Sequence, residues 1–259
     1  LLRPPIVEVV CGAYFEPVEQ LDPVALGAFW QGRRAAYPRR EYKAALTPSL
    51  SEDAQVSLSL GPDIGPLRTW LISADDVFIL QVQRDRFYLN WRARQGAYPR
   101  FNDRDGNRGL LSKFLEEFGA FASFSKQELG VAPKVTGCEL SKVDRLLQGR
   151  DWQDVRDLGA LLPTIKPSLD FATPGSVPEV AVRLSTALAD GVMNVAINSQ
   201  YRLGPPGPRA ILLSSSRVVL RDLASDAVGG ALQASNEELN KLFVQLVPEQ
   251  DRFGRGREG

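Results

Sequence analysis

This chain of 259 residues contains no histidine. That removes imidazole acid–base catalysis, Ser-His-Asp triads and imidazole metal ligands. Asp, Glu, Lys, Arg, Tyr and two cysteines remain for chemistry. Glu139 stands in an apolar, strand-like run, where a carboxylate needs a partner because burying a lone charge is costly. Lys142 and Arg183 are the candidate partners, and a structural Glu139–Arg183 pair is favoured over a catalytic one. Glu139 and Glu179 would form an acid–base pair only at the separation of roughly 5–9 Å that glycosidases use. Cys11 and Cys138 lie in separate apolar segments and cannot form a zinc site on their own, so buried free thiols are expected. The run NDRDGN (102–107) has part of a calcium loop but lacks the preceding helix and the closing Glu. No GxGxxG, GxxxxGK or CxxC motif occurs, and no cofactor or metal is assigned.

The best polar constellation is Gln81, Gln83, Tyr88, Asn90 and Arg92. The alternation of a strand puts these residues on one face. Such a stripe is either a recognition surface or an ordinary wet sheet face. Arg86 falls at the turn between the two strands. Arg100, Arg104 and Arg108 follow, a possible anion-binding group. The expected interaction surface is Gln81, Gln83, Arg86, Tyr88, Asn90, Arg92 and Arg100.

The elements that must hold these residues centre on Val77–Arg100. Two alternating runs, Val77–Arg84 and Phe87–Arg92, flank Asp85 and Arg86, which predicts a hairpin. Phe78, Leu80, Val82, Phe87, Leu89 and Trp91 form its inner face. Before it, Ile6–Phe15 reads as a strand with Val7, Val9, Cys11, Ala13 and Phe15 inward. Asp22-Pro23 opens a helix, and short strands are expected at Glu41–Leu46, Gln55–Leu60 and Leu67–Ser73. A long helix spans about Arg108–Glu128, its apolar stripe including Phe114, Phe118 and Phe121. The second half opens on a long strand, Lys134–Leu146. A short helix within Trp152–Leu162 and strands at Val180–Leu188, Val192–Tyr201 and Arg209–Leu223 come next. A last helix is placed from Ser235, read as its cap with Glu238 three residues on.

Each half thus runs strand, helix, antiparallel strands, helix. The expected fold is α+β: a duplicated unit of that plan, its curved antiparallel sheet packed on long helices. The expected divisions are 1–130, 131–250 and a disordered tail, 251–259. Lys plus Arg and Asp plus Glu balance at 31 each, which argues against a nucleic-acid binder. No apolar run is long enough to span a membrane. The opening LLRPPIVEVV lacks a signal-peptide layout, so the cytoplasm is the expected compartment.

The segments PPIVEVVCGAYFEP (4–17), FW (29–30), YP (37–38), QVQRDRFYLNWR (81–92), YPR (98–100) and CEL (138–140) resemble a sporadically distributed bacterial protein family of similar length that carries no assigned function. The resemblance implies a class without a mechanism. That family often has an Asn near the end of its midpoint strand, where this chain has Asp144. It also tends to open its final helix with His-Glu, where this chain has Asn236 and Glu237. The expected function rests on the absence of histidine and of cofactor motifs, the neutral charge and the polar stripe on a broad sheet. It is a non-enzymatic interaction or adaptor subunit of a bacterial complex, partnered by another protein or by a second copy. The alternative is a small-molecule binding module with an apolar cavity between sheet and helix, lined by Phe114, Phe118 and Phe121. An enzyme using Asp, Glu, Arg and Tyr alone is a third reading.

Overall fold

The computed structural model describes residues 4–46, 67–94, 98–153, 155–166, 180–200, 210–249 and 253. The expected strand at Gln55–Leu60 and the residue Glu179 lie outside them. Strand β1 (Ile6–Phe15) leads to helix α1 (Pro23–Arg33), then to β2 (Arg39–Ala44), β3 (Leu67–Ile72), β4 (Phe78–Gln83), β5 (Arg86–Arg92) and helix α2 (Leu110–Glu128). The second half runs β6 (Val135–Leu147), α3 (Val155–Leu161), β7 (Ala181–Leu188), β8 (Gly191–Gln200), β9 (Ala210–Leu220) and α4 (Ala227–Leu246).

All nine described strands join one antiparallel sheet in the order β2-β3-β4-β5-β1-β6-β9-β8-β7. This corrects the expected fold of a curved sheet packed on long helices, built by duplicating one unit. Among the described residues the chain is mostly a single nine-stranded sheet, 40% strand and 30% helix, with four helices, and is α+β only in the broad sense. The physical reason is the central ladder. β1 and β6 pair from Ile6↔Asp144 to Phe15↔Val135, so one hydrogen-bonded sheet runs unbroken through both halves.

The sheet's apolar face follows from strand alternation. Val9, Cys11, Ala13 and Phe15 of β1 are buried there, beside Leu80 and Val82 of β4 and Phe87, Leu89 and Trp91 of β5. The hairpin register is Phe78↔Trp91, Leu80↔Leu89 and Val82↔Phe87, so the expected inner face is the observed one. Phe87 meets Phe114, Phe118 and Phe121 of α2 at ring-centroid distances of 6.2, 5.8 and 5.3 Å. Those three helix rings are at most 3% exposed. The space assigned to an apolar cavity is therefore filled by packed side chains, because the helix stripe and the β5 stripe interdigitate.

Asp22 caps α1 by accepting from the amides of Val24 and Ala25, with Pro23 in the first turn. Phe29 packs its ring against Phe121 at 5.6 Å. Between the helices, buried Glu117 accepts from Arg33 and, at 3.0 Å, from the Tyr37 hydroxyl. A second cluster, around Leu146, Leu158, Leu161, Ile197 and Leu213, covers the other end of the same face. Phe253 joins it, with its ring 6.3 Å from Phe243. It falls within 251–259, the segment expected to be a disordered tail.

The final helix does not start at Ser235. It starts at Ala227, and Ser235 is a buried mid-helix residue donating to the carbonyl of Ala231 at 2.9 Å. Val228, Ala231 and Leu232 carry the apolar stripe back across two extra turns, and their burial outweighs the two glycines at 229 and 230. Both cysteines are free and buried, and burial pushes the Cys11 thiol up to about 12 and Cys138 to about 11. Among the described residues no helix is long and apolar enough to cross a membrane.

Candidate functional site

The expected interaction surface is not an exposed stripe. Gln81, Gln83, Arg86, Tyr88 and Asn90 do share the sheet's helix-free face, but each is only 4–7% exposed. They bond to one another and to neighbouring strands, although Arg68 Nε and Arg92 Nε are buried without a hydrogen-bond partner among the described residues. Arg68 donates to Gln81 at 2.8 Å, Gln81 to Asn90 at 2.5 Å, and Asn90 to Glu8 at 2.8 Å. Gln83 donates to Asp85 and to the carbonyl of Leu46. Arg86 pairs with Asp85 and lies 5.1 Å from the centre of the Tyr14 ring. Arg92 binds Asp76, which also takes Arg39 and Arg94. Arg100 is not part of this face.

The Glu139–Arg183 pair does not form. Arg183 is exposed on β7, and β9 and β8 stand between it and β6. Glu139 lies on the helix-free face, where it accepts from the hydroxyls of Tyr14, Ser141 (2.6 Å) and, weakly, Tyr88 (3.4 Å). Burial, with the Glu139 charge adding to it, pushes the Tyr88 phenol up to about 12. Gly12 makes this cluster possible. A Cβ at that position would sit 2.4 Å from the Tyr88 ring.

Among the described residues, Arg68 Nε, Trp70 Nε1, Arg92 Nε and Arg145 Nε on the helix-free face are buried without a hydrogen-bond partner. The opposite, helix-covered face carries a second underbonded group, which faces a cavity. Cys138, Leu140, Lys142, Asp144 and Leu146 alternate along β6, so two charges occupy positions that elsewhere on the strand are apolar core. Lys142 is 5% and Asp144 3% exposed. Helix α4 answers Lys142 with Asn236 and Asn240, one turn apart, each accepting from its ammonium at 2.7 Å. An ammonium has three donors, so one remains. Asp144 has less. Among the described residues no hydrogen bond or ion pair reaches its carboxylate. Burial pushes that carboxyl up to about 7 against the pull of the Lys142 charge. The same burial brings Lys142 down to about 8, with Asp144 opposing it.

Both groups line a cavity of about 410 Å³ bounded by the start of β1, the middle of β6, α4 and residues 98–104. Its polar lining adds Ser215 of β9 and Asp103 and Arg104 of the loop. Phe101, Leu239, Phe243 and Val244 supply an apolar wall.

The loop is held in place by backbone bonds. The carbonyls of Arg100 and Phe101 accept from the amides of Leu110 and Leu111, and Arg100 takes a positive φ of 71°. Asp103 accepts from the Gly109 amide at 2.7 Å, which holds its carboxyl below the usual range. The NDRDGN run is a tight turn: Asp105 (φ 52°) and Gly106 (φ 74°) link the paired residues Arg104 and Asn107. Among the described residues no group of acidic or thiol side chains could hold a metal ion.

Sequence reasoning placed Arg100 on the wrong side and gave Lys142 only the role of a partner for Glu139. The signal for Lys142 and Asp144 was present in their parity with Cys138 and Leu140. The site is thus a partly apolar cavity holding an underbonded ammonium and an unbonded carboxylate, both with perturbed proton affinity, as is common at binding and catalytic sites. No family model, curated protein or solved structure matches the chain.

Proposed function

We propose that this protein is a small-molecule binding module whose site is the cavity between β6, α4 and residues 98–104. The observation that carries this reading is Asp144: a carboxylate at 3% exposure, facing a cavity and lacking a hydrogen bond among the described residues. Folds rarely leave such a group unanswered, because the desolvation cost falls entirely on stability. A bound ligand would supply the missing donor. The volume lies in the range of small-ligand pockets, roughly 300–1,000 Å³. The ligand position differs from that expected from sequence, since the phenylalanines of α2 belong to the packed core.

Thermal melting of the whole chain across a library of small polar metabolites tests the reading. Binding compounds will raise Tm in the native protein and fail to do so in Val244→Trp, which narrows the cavity from its exposed wall. Stabilisation at a hundredfold excess over Kd is about 2.7 kcal/mol. A library without effect, or with equal effect in both proteins, would refute it.

The adaptor reading keeps one supporting observation. Edge strand β7 is exposed at seven of its eight residues, and Leu184 and Leu188 are 47% and 38% exposed. Arg183 is its one charge, whereas the opposite edge strand β2 carries Arg39, Arg40, Glu41 and Lys43, which discourage pairing. The occupant this edge fits is β7 of a second copy. Two buried free thiols are compatible with the reducing cytoplasm.

A further inference from the structure

From the same cavity we infer the chemical class of its ligand: a zwitterionic α-amino acid with an apolar side chain, its carboxylate on Lys142 and its ammonium on Asp144. The inference rests on the reading of the cavity as a ligand site and adds what that site selects.

Lys142 and Asp144 are two residues apart on one face of β6, about 7 Å along the strand. No ion pair joins them, although each is the charge nearest in sign to what the other lacks. Asn236 and Asn240 orient the ammonium without neutralising it, since amide oxygens carry only partial charge. One N–H of Lys142 and the whole Asp144 carboxylate are therefore left over, side by side, at the cavity wall. A molecule carrying a carboxylate and an ammonium on one carbon can meet both at once. Each buried charge then gains an opposite charge and a hydrogen bond, which is the condition for burying ions without penalty.

Single-charge ligands fit worse for a stated reason. A carboxylic acid would satisfy Lys142 but press an anion against Asp144. An amine would satisfy Asp144 but lie beside the Lys142 ammonium. Discrimination of this kind comes from repulsion as much as from attraction. Beyond the charged pair, Phe101, Leu239, Phe243 and Val244 form one apolar wall, while Arg100, Asn102, Asp103, Arg104 and Ser215 line the polar remainder, so a side chain laid against α4 is apolar.

Calorimetric titration of the full chain with L-leucine, 4-methylpentanoate and isopentylamine tests this. These three share one apolar body and differ only in charge. L-Leucine will bind, and each single-charge analogue will bind at least about tenfold more weakly. In Asp144→Asn, leucine affinity will fall while that of 4-methylpentanoate will hold or rise, because the repelling anion is gone. Should that variant not fold, the analogue series on the native chain still decides. Equal binding of leucine and either analogue overturns the inference. So does failure of L-leucine, L-phenylalanine and L-methionine all to bind at millimolar concentration. If those amino acids fail while other metabolites stabilise the native protein but not Val244→Trp, the inference falls and the ligand site stands. If nothing binds, both fall.

Discussion

Lys142 and Asp144 give the folded protein two opposing proton balances. The Asp144 carboxyl is raised from 3.8 to about 7 by burial, so its favourable contribution is complete below pH 3.8 and lost as pH rises through about 7. The Lys142 ammonium is lowered from 10.5 to about 8, so its contribution is complete above 10.5 and lost as pH falls through about 8. Between about pH 7 and about pH 8 both groups are charged and buried, and the unliganded protein bears both costs. Of the other groups on the cavity, burial raises the Tyr98 phenol and the Gly109 amide lowers the Asp103 carboxyl, both away from this window, and Arg100 and Arg104 line the same space.

Asp144→Asn will therefore stabilise the unliganded chain at pH 8 relative to pH 4, by an amount on the order of a few kcal/mol. Urea midpoints at the two pH values measure it, and a difference that does not change with pH would contradict the assignment. Asn236→Ala removes one acceptor from a buried ammonium and should cost about 1–3 kcal/mol at neutral pH, less above pH 10 where the amine is neutral. The chemistry of this pair was legible in the alternation of β6, where Lys142 and Asp144 share the parity of Cys138 and Leu140. Glu139 drew attention because a carboxylate between Cys138 and Leu140 looks buried from sequence. Period-two alternation instead turns it to the helix-free face, where two tyrosines and Ser141 hold it.

At the scale of elements, the hairpin of β4 and β5 organises the packing of the larger cluster. Its inner face and its contact with the α2 phenylalanines could be read from the alternating residues, but the expected turn at Asp85-Arg86 falls one residue late. The turn is Arg84-Asp85, and Arg86 pairs with Gln83 inside β5. Phe87 touches three α2 rings and is fully buried, so Phe87→Ala should cost about 3–5 kcal/mol in chemical denaturation. A cost below about 1 kcal/mol would mean that the helix does not rest on the strand as described. The last helix was less legible. Ser235 and Glu238 have the spacing of a capping box, but Ser235 instead bonds back to Ala231. Tertiary burial of Val228 and Leu232 decided where the helix begins, and local signals carry no information about that. The buried polar row on β4 and β5 was legible as a row. Its burial was not, because the bonds that close it run to Arg68, Glu8 and Leu46 on other elements.

On the scale of the whole molecule, the pairing of β1 with β6 sets the position of the cavity. That ladder brings the start of β1 against the middle of β6 and leaves α4 to close over them. The two ends of the sheet differ. β2 is charged along its length and resists pairing, while β7 offers an open edge with exposed leucines. If copies associate through β7, light scattering at high protein concentration will show a dimer that Leu184→Lys converts to monomer; a monomer under all conditions would exclude that association.

The cavity itself is tested most directly by following backbone amide resonances of the full chain during titration with L-leucine. The account predicts shifts concentrated at residues 98–104, 142–144 and 236–244, with the largest at Lys142 and Asp144. Shifts confined to other parts of the sheet, or none with leucine or any other metabolite, would contradict it.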